Sequence, residues 1–299
     1  MALIFVVGAT ATGKSDLALD IAESINAHII NADSMQLYRG MDIGTAKVPP
    51  ADRRGIPHHL IDVVDVRNDV SVAWYQEAAR KVIDETLSSG KSAVVVGGTG
   101  LYVKAILDDL RFPDTDPLIR ARLELEATQM GGDALHQRLA QLDPAAALAI
   151  PKENQRRVIR ALEVIEITGE PFTANLPREG ASLSRYPEAK QFGLATSRSG
   201  LDLRIEERVD RMWEMGLVEE TRHLVELGLR EGRTARAALG YAQILRFLEG
   251  EISEEQAREA TKVATRQYAR RQETWFKRDD RIHWISDGRD RLSEVLQSL

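Results

Sequence analysis

The sequence predicts an α/β fold, a parallel sheet core flanked by helices with a helical insertion domain, and three observations carry that prediction. Short, continuously apolar runs rich in β-branched residues recur through the first hundred residues, several of them followed by a turn and then by apolar residues at helical spacing. The first such junction, Gly8-Ala9-Thr10-Ala11-Thr12-Gly13-Lys14-Ser15, matches the phosphate-binding pattern G-x-x-x-x-G-K-[ST] at every specified position. From Phe112-Pro113-Asp114-Thr115-Asp116-Pro117 to about Tyr186-Pro187 the alternation stops and only helical patterns remain, before a strand-like run returns at residues 191–195. The core is therefore assigned to residues 1–113 and 191–299, and the insertion to residues 114–190.

Each element has its own justification. Residues 3–7 read as a strand buried on both faces, and Leu17, Ala18, Ile21, Ala22 and Ile25 place a helix from about Lys14. In that setting the glycines let successive backbone N–H groups point inward at a helix N-terminus, forming an anion nest. Lys14 can then neutralise outer phosphate oxygens, and the Ser15 hydroxyl is placed to bind Mg²⁺. A second strand at residues 28–32 ends on Asp33-Ser34-Met35-Gln36. Ligands in open α/β sheets sit beyond the carboxyl ends of the strands, so Asp33 is expected at the edge that carries the phosphate loop. Residues 37–47 show neither period and read as a functional surface loop, residues 60–64 as a further short strand, and Val72, Tyr75, Ala79, Val82 and Ile83 as a helix closed by Ser88-Ser89-Gly90. The strand at residues 93–96 runs into Gly97-Gly98-Thr99-Gly100, which puts Thr99 at the same edge.

In the insertion, Ile119 and Leu123, then Leu135, Leu139 and Leu142, then Val158, Leu162 and Ile165 mark helices, and a polar stretch at residues 175–184 ends them. Beyond it, Ile205, Val209 and Met212, then Leu217, Thr221 and Leu224, then Tyr241, Ile244 and Leu245 mark three more. The capping box Ser253-Glu254-Glu255-Gln256 opens a long helix with Ala260, Ala264, Tyr268 and Trp275 on one face and Arg266, Arg270 and Lys277 on another. A last strand is placed at residues 282–285.

Composition bounds the function. No apolar run approaches the roughly 20 residues that cross a bilayer, and the first apolar run leads straight into the phosphate loop, so neither membrane nor cleaved signal is expected. With no cysteine there is no thiolate nucleophile or disulfide, which fits a cytoplasmic enzyme. His58-His59 lacks a third ligand at a recognisable spacing and reads as structural. A net charge of −6 argues against coating nucleic acid by bulk electrostatics but leaves room for local basic faces at residues 155–160 and 264–281. No strand ends in the apolar run plus acid of a Walker B motif, save loosely the one before Asp33, which weakens a motor ATPase reading. On these residues alone a small-molecule phosphate-loop kinase, an RNA-binding nucleotide switch and a group-transfer enzyme all remain open.

Several blocks together resemble one family. They are Gly8 to Ser15, the run from Asp33 to Lys47, Gly97-Gly98-Thr99-Gly100-Leu101-Tyr102, Arg160-Ala161-Leu162-Glu163-Val164, Leu239-Gly240-Tyr241 and Arg270-Arg271-Gln272-Glu273-Thr274-Trp275. They are similar to successive signatures of the bacterial tRNA dimethylallyltransferases, also called tRNA isopentenyltransferases, and the block at residues 33–47 is the specific one. The resemblance implies a P-loop NTPase-like core and transfer of a dimethylallyl group from dimethylallyl diphosphate to N6 of the adenine just 3′ of the anticodon. The phosphate loop, commonly described as an ATP site, would hold the prenyl diphosphate through Thr10 to Ser15. Asp33 would be the general base, Ser34, Met35 and Gln36 would border the adenine, and Thr99 would sit in the reaction channel. Arg120, the run Arg156, Arg157, Val158, Ile159 and Arg160, and Arg270, Arg271 and Gln272 would contact the tRNA anticodon stem-loop. Mg²⁺ and a monomeric protein are part of the same expectation. Some relatives carry a diphosphate-binding basic residue shortly before the Gly-Tyr pair; here Ala237 and Ala238 stand beside Arg236, so that contact has no assigned residue.

Overall fold

A computed structural model describes residues 1–175, 184–287 and 290–299. The polar stretch expected to end the insertion lies almost wholly outside these residues. By its contacts the chain divides into a core unit, Met1–Ile106 with Tyr186–Leu299, and an insertion unit, Leu107–Arg185. The division falls at Leu107, the last residue of the helix Gly100–Leu107, rather than at residue 114.

In chain order the core unit contributes β1 (Leu3–Val7), α1 (Lys14–Ser24), β2 (Ala27–Asn31), β3 (His58–His59), α2 (Val72–Ser88), β4 (Ser92–Gly97) and α3 (Gly100–Leu107). The insertion unit continues with α4 (Pro117–Met130), α5 (Gly132–Leu142), α6 (Pro144–Ala149) and α7 (Gln155–Thr168). The core resumes with β5 (Lys190–Leu194), α8 (Arg198–Glu214), α9 (Leu217–Glu226), α10 (Tyr241–Leu248), α11 (Glu254–Phe276), β6 (Ile282–Ile285) and α12 (Arg291–Gln297). Among the described residues no helix is long and apolar enough to cross a membrane.

The six strands form one parallel sheet in the order β3-β2-β4-β1-β5-β6. β1 is buried at every position, as its unbroken apolar run requires of a strand covered on both faces. Register pairs Val7 with Gly97 and Asn31 with Val96, so the residues that come after β1, β2 and β4 emerge at one edge. One departure from expectation lies at residues 60–64. The strand there is only His58–His59, because Leu60 and Asp62 both take positive φ (59° and 58°), which breaks any ladder, and Val64 keeps a single bridge to Tyr38. The insertion unit closes its own core around Leu123, Leu135, Leu139, Val158 and Leu162.

Candidate active site

The phosphate loop is shaped by backbone conformation. Gly8, Ala11 and Gly13 take positive φ (136°, 62° and 84°), and the Thr12 hydroxyl donates to the Ala9 carbonyl at 2.9 Å. Two distant side chains clasp it. Gln272 on α11 accepts from the Thr10 N–H at 2.9 Å while donating to the Gly98 carbonyl at 2.8 Å, and Arg291 on α12 donates to the Thr12 carbonyl at 3.0 Å. The N–H groups of Ala11, Thr12, Gly13, Lys14 and Ser15 have no acceptor among the described residues, so they form the donor array that an anion can use.

Asp33 is held by the chain just before it. The Asn31 side chain, buried at the end of β2, accepts from the Asp33 N–H at 2.8 Å and donates to the Asp33 and Leu60 carbonyls, each at 2.9 Å. One Asp33 carboxylate oxygen accepts from the Met35 N–H at 2.9 Å, which leaves the other for the cavity. Thr99 stands one step back. Its hydroxyl accepts from the Ser34 N–H at 3.1 Å and donates to the Ser34 hydroxyl at 3.4 Å, and it is not part of the cavity wall.

A cavity of about 330 Å³ is walled by Thr10, Asp33, Ser34 and Met35 together with Arg208 and Tyr268. On the other side of the loop a larger one, about 960 Å³, is walled by residues 11–16 and again by Arg208. Lys14 points its ammonium back to the Ala9 carbonyl at 2.5 Å. Desolvation, reinforced by the positive charge of Arg208 and opposed by Asp33, lowers the Lys14 pKa to about 7, although the side chain as a whole keeps some exposure. Burial also lowers the Arg208 pKa, with Asp33 opposing. Burial raises the Tyr268 hydroxyl to about 12, so it stays a neutral donor.

Arg208 escapes a reading of the sequence because it lies within the helical stripe Ile205, Val209 and Met212, where the apolar residues carry the pattern. A cation among core positions was the available signal. Arg208 and Arg271 are the basic side chains on the cavity wall that Ala237 and Ala238 share; Arg236 is exposed and donates to the Arg230 carbonyl instead.

The expected RNA-facing residues separate into two groups. Arg156, Arg157, Arg270 and Arg271 are exposed and make no ion pair among the described residues, and Arg271 lies over the Tyr268 ring at 5.7 Å. Val158 and Ile159 correct the expectation: they are 1% and 8% exposed and pack into the insertion's core, so they offer RNA no side chain. Arg120 and Arg160 both grip the buried Glu163, at 2.5 and 2.8 Å. Gln272 is buried and spent on the phosphate loop. The stripe of α11 is likewise rotated from the one expected, to Ala257, Thr261, Ala269, Gln272 and Phe276, because Thr261 satisfies its hydroxyl on the Ala257 carbonyl and so tolerates burial.

Comparison with known proteins identifies the family. The family model described as IPP transferase matches residues 36–279. The tRNA dimethylallyltransferase of Thermobifida fusca is 60% identical over 288 residues, covering 95% of this chain and 89% of that protein. Its counterpart from Streptomyces avermitilis is 55% identical over 295 residues, covering 99% and 93%. Of solved structures, the full-length tRNA isopentenylpyrophosphate transferase of Bacillus halodurans matches with a TM-score of 0.72 at 38% identity, over 99% of this chain and 95% of that one. A eukaryotic dimethylallyltransferase acting on tRNA matches with a TM-score of 0.81 at 27% identity, over 95% and 73%. With a P-loop NTPase-like parallel sheet and a phosphate loop facing a carboxylate across one cavity, the chain belongs to the tRNA dimethylallyltransferase family.

Proposed function

We infer that the protein transfers a dimethylallyl group from dimethylallyl diphosphate to N6 of the adenine 3′-adjacent to the anticodon in tRNA, releasing diphosphate. One observation carries the assignment of residues: Asp33 and Thr10 wall the same cavity as Arg208, which also reaches the Lys14 side of the loop. An exocyclic aromatic amine is a weak nucleophile, so the allylic C1–O bond must be well advanced in breaking as the N6–C1 bond forms. The departing diphosphate gathers negative charge, which the loop N–H groups, Lys14 and Arg208 meet without reorganising. As N6 becomes cationic its proton turns acidic and passes to the free oxygen of Asp33. Ser34 and Met35 border the adenine, which leaves its stack more cheaply in a single-stranded loop than in a duplex; Gln36, expected beside them, lines a separate small cavity with Ser15 and Asn31 and reaches the wall only through the Thr45 carbonyl. Thr99 positions Ser34 from behind. Arg156, Arg157, Arg270 and Arg271 meet RNA phosphates.

Mg²⁺ fits the residues present. Among the described residues no three or more His, Cys, Asp or Glu side chains converge on a metal position. A cation here would draw on the Ser15 hydroxyl, diphosphate oxygens and water, the donor set that Mg²⁺ prefers, and would neutralise leaving-group charge.

Asp33→Asn tests the assignment. It retains size and a carbonyl acceptor but cannot take the proton, so both substrates should bind about as in the parent while single-turnover transfer slows by roughly a hundred to ten thousandfold. Transfer at the parental rate would reduce Asp33 to a positioning residue.

A further inference from the structure

The Leu239-Gly240-Tyr241 block and the loop after Gln36 have no role in the chemistry above, yet the structure locks them together through one carboxylate. Glu220, half-buried on α9, accepts from three successive backbone N–H groups: Asp42 at 3.2 Å and Ile43 at 2.8 Å on one oxygen, Gly44 at 3.3 Å on the other. The Tyr241 hydroxyl donates to that second oxygen at 2.6 Å. Tyr241 is fully buried, and its ring lies so close to Gly44 that a Cβ there would stand 2.5 Å from it. Three successive N–H groups converging on a carboxylate form an anion nest filled from within the protein, and charge-assisted hydrogen bonds of this kind are the stronger class.

Immediately past this nest the chain reaches the reaction cavity. Gly44 and Thr45 are part of the wall that also holds Asp33, Ser34 and Met35, and the Thr45 carbonyl accepts from the Gln36 side-chain amide at 3.0 Å. The far end of the loop is pinned separately. Lys47, 9% exposed, donates to the Tyr38 carbonyl at 2.5 Å and pairs with Asp42 and Asp62 at 2.8 and 2.5 Å. Glu220 thus controls the Gly44–Thr45 wall, and Lys47 the approach to it.

We propose that Glu220 is a positioning residue for the acceptor base: by filling the nest at residues 42–44, with Tyr241 as its second support, it holds the Gly44–Thr45 wall, which the Gln36 amide braces from outside the cavity, where the adenine is received. This rests on the prenyl-transfer reading, under which that cavity takes the adenine while the diphosphate lies on the loop.

The experiment uses the full-length protein with an anticodon stem-loop RNA and dimethylallyl diphosphate. Glu220→Ala should raise the KM for RNA by about tenfold, the scale of one charged hydrogen bond, while the directly measured Kd for dimethylallyl diphosphate stays within twofold of the parent. Glu220→Gln keeps one acceptor oxygen and should fall between the two. Tyr241→Phe keeps the ring against Gly44 and should raise KM by a few fold, which gives a readout even where Glu220→Ala folds poorly. Backbone amide exchange at residues 42–44 should quicken in every Glu220 variant. Parental RNA KM, an equal loss of donor affinity, or unchanged exchange at residues 42–44 would overturn the proposal. If the parent transfers nothing to RNA, the functional reading fails first, and the exchange measurement still decides whether Glu220 holds the loop.

Discussion

The insertion unit and the core unit treat buried cations in opposite ways. In the insertion, Arg120 and Arg160 are about a quarter exposed, 28% and 26%, and share the fully buried Glu163. Burial alone would raise that carboxyl's pKa, but the two guanidinium groups more than offset it and hold it below the ordinary range. In the core unit, Lys14 and Arg208 have no ion-pair partner among the described residues and meet only the longer-range charge of Asp33. The first arrangement is self-sufficient and belongs to structure. The second raises the free energy of the folded protein and lowers it again for any anion that binds there, which is how stability is exchanged for affinity at a functional site.

The largest effect expected from this contrast is at Lys14. Lys14→Met should cut transfer by a hundredfold or more, on the scale of a lost oxyanion donor. Because it also removes a desolvated cation, its thermal midpoint without ligand should equal or exceed the parent's. A lower midpoint, read by differential scanning calorimetry, would place Lys14 with the structural cations.

Next in size is a pH effect. A lysine at about 7 in the folded protein and 10.5 when unfolded binds fewer protons folded across that window, so its own contribution to stability rises with pH there. Donor binding runs the other way. A bound diphosphate favours the ammonium, so each unit of pH above about 7 should weaken donor affinity by up to about tenfold, with proton uptake visible as buffer-dependent heat. Affinity flat from pH 6.5 to 8.5 would show that Lys14 keeps its charge without the ligand.

The smallest effects separate the arginines. Alanine at Arg156, Arg157, Arg270 or Arg271 should each lower the salt slope of log K for tRNA by roughly 0.7 to 0.9 for every phosphate left without its cation. Glu163→Gln should leave that slope alone but lower the insertion's stability by on the order of 1–3 kcal/mol, less than for a fully buried pair because the guanidinium groups are partly solvated. A changed slope in Glu163→Gln would dissolve the distinction.

Legibility in the sequence divides along the same line. The phosphate loop was legible because every requirement is local: two glycines for backbone shape, a lysine and a serine at set spacing, a strand before and a helix after. Asp33 was legible because parallel strands deliver their carboxyl ends to one edge. Arg208 and Gln272 were not, since their roles are set by elements more than 170 residues away in the chain, such as the Gly98 carbonyl that Gln272 reaches. The basic run at residues 155–160 misled for the opposite reason. Helical spacing already turned Val158 inward, but composition registers charge and cannot show that Ile159 follows it or that Arg160 is already held.

The clasp on the phosphate loop also orders events in time. The loop is made long before its clasp: its Thr10 N–H waits for a partner 262 residues later and its Thr12 carbonyl for one 279 residues later. At ordinary elongation rates, about 5–20 residues per second, that is on the order of ten to fifty seconds. β1 meanwhile lacks β5, its neighbour on one side, until residue 194 has emerged. A ribosome-bound chain therefore carries the whole phosphate motif before its anchors are made, and an anion that binds the loop can draw folding forward only in its last steps.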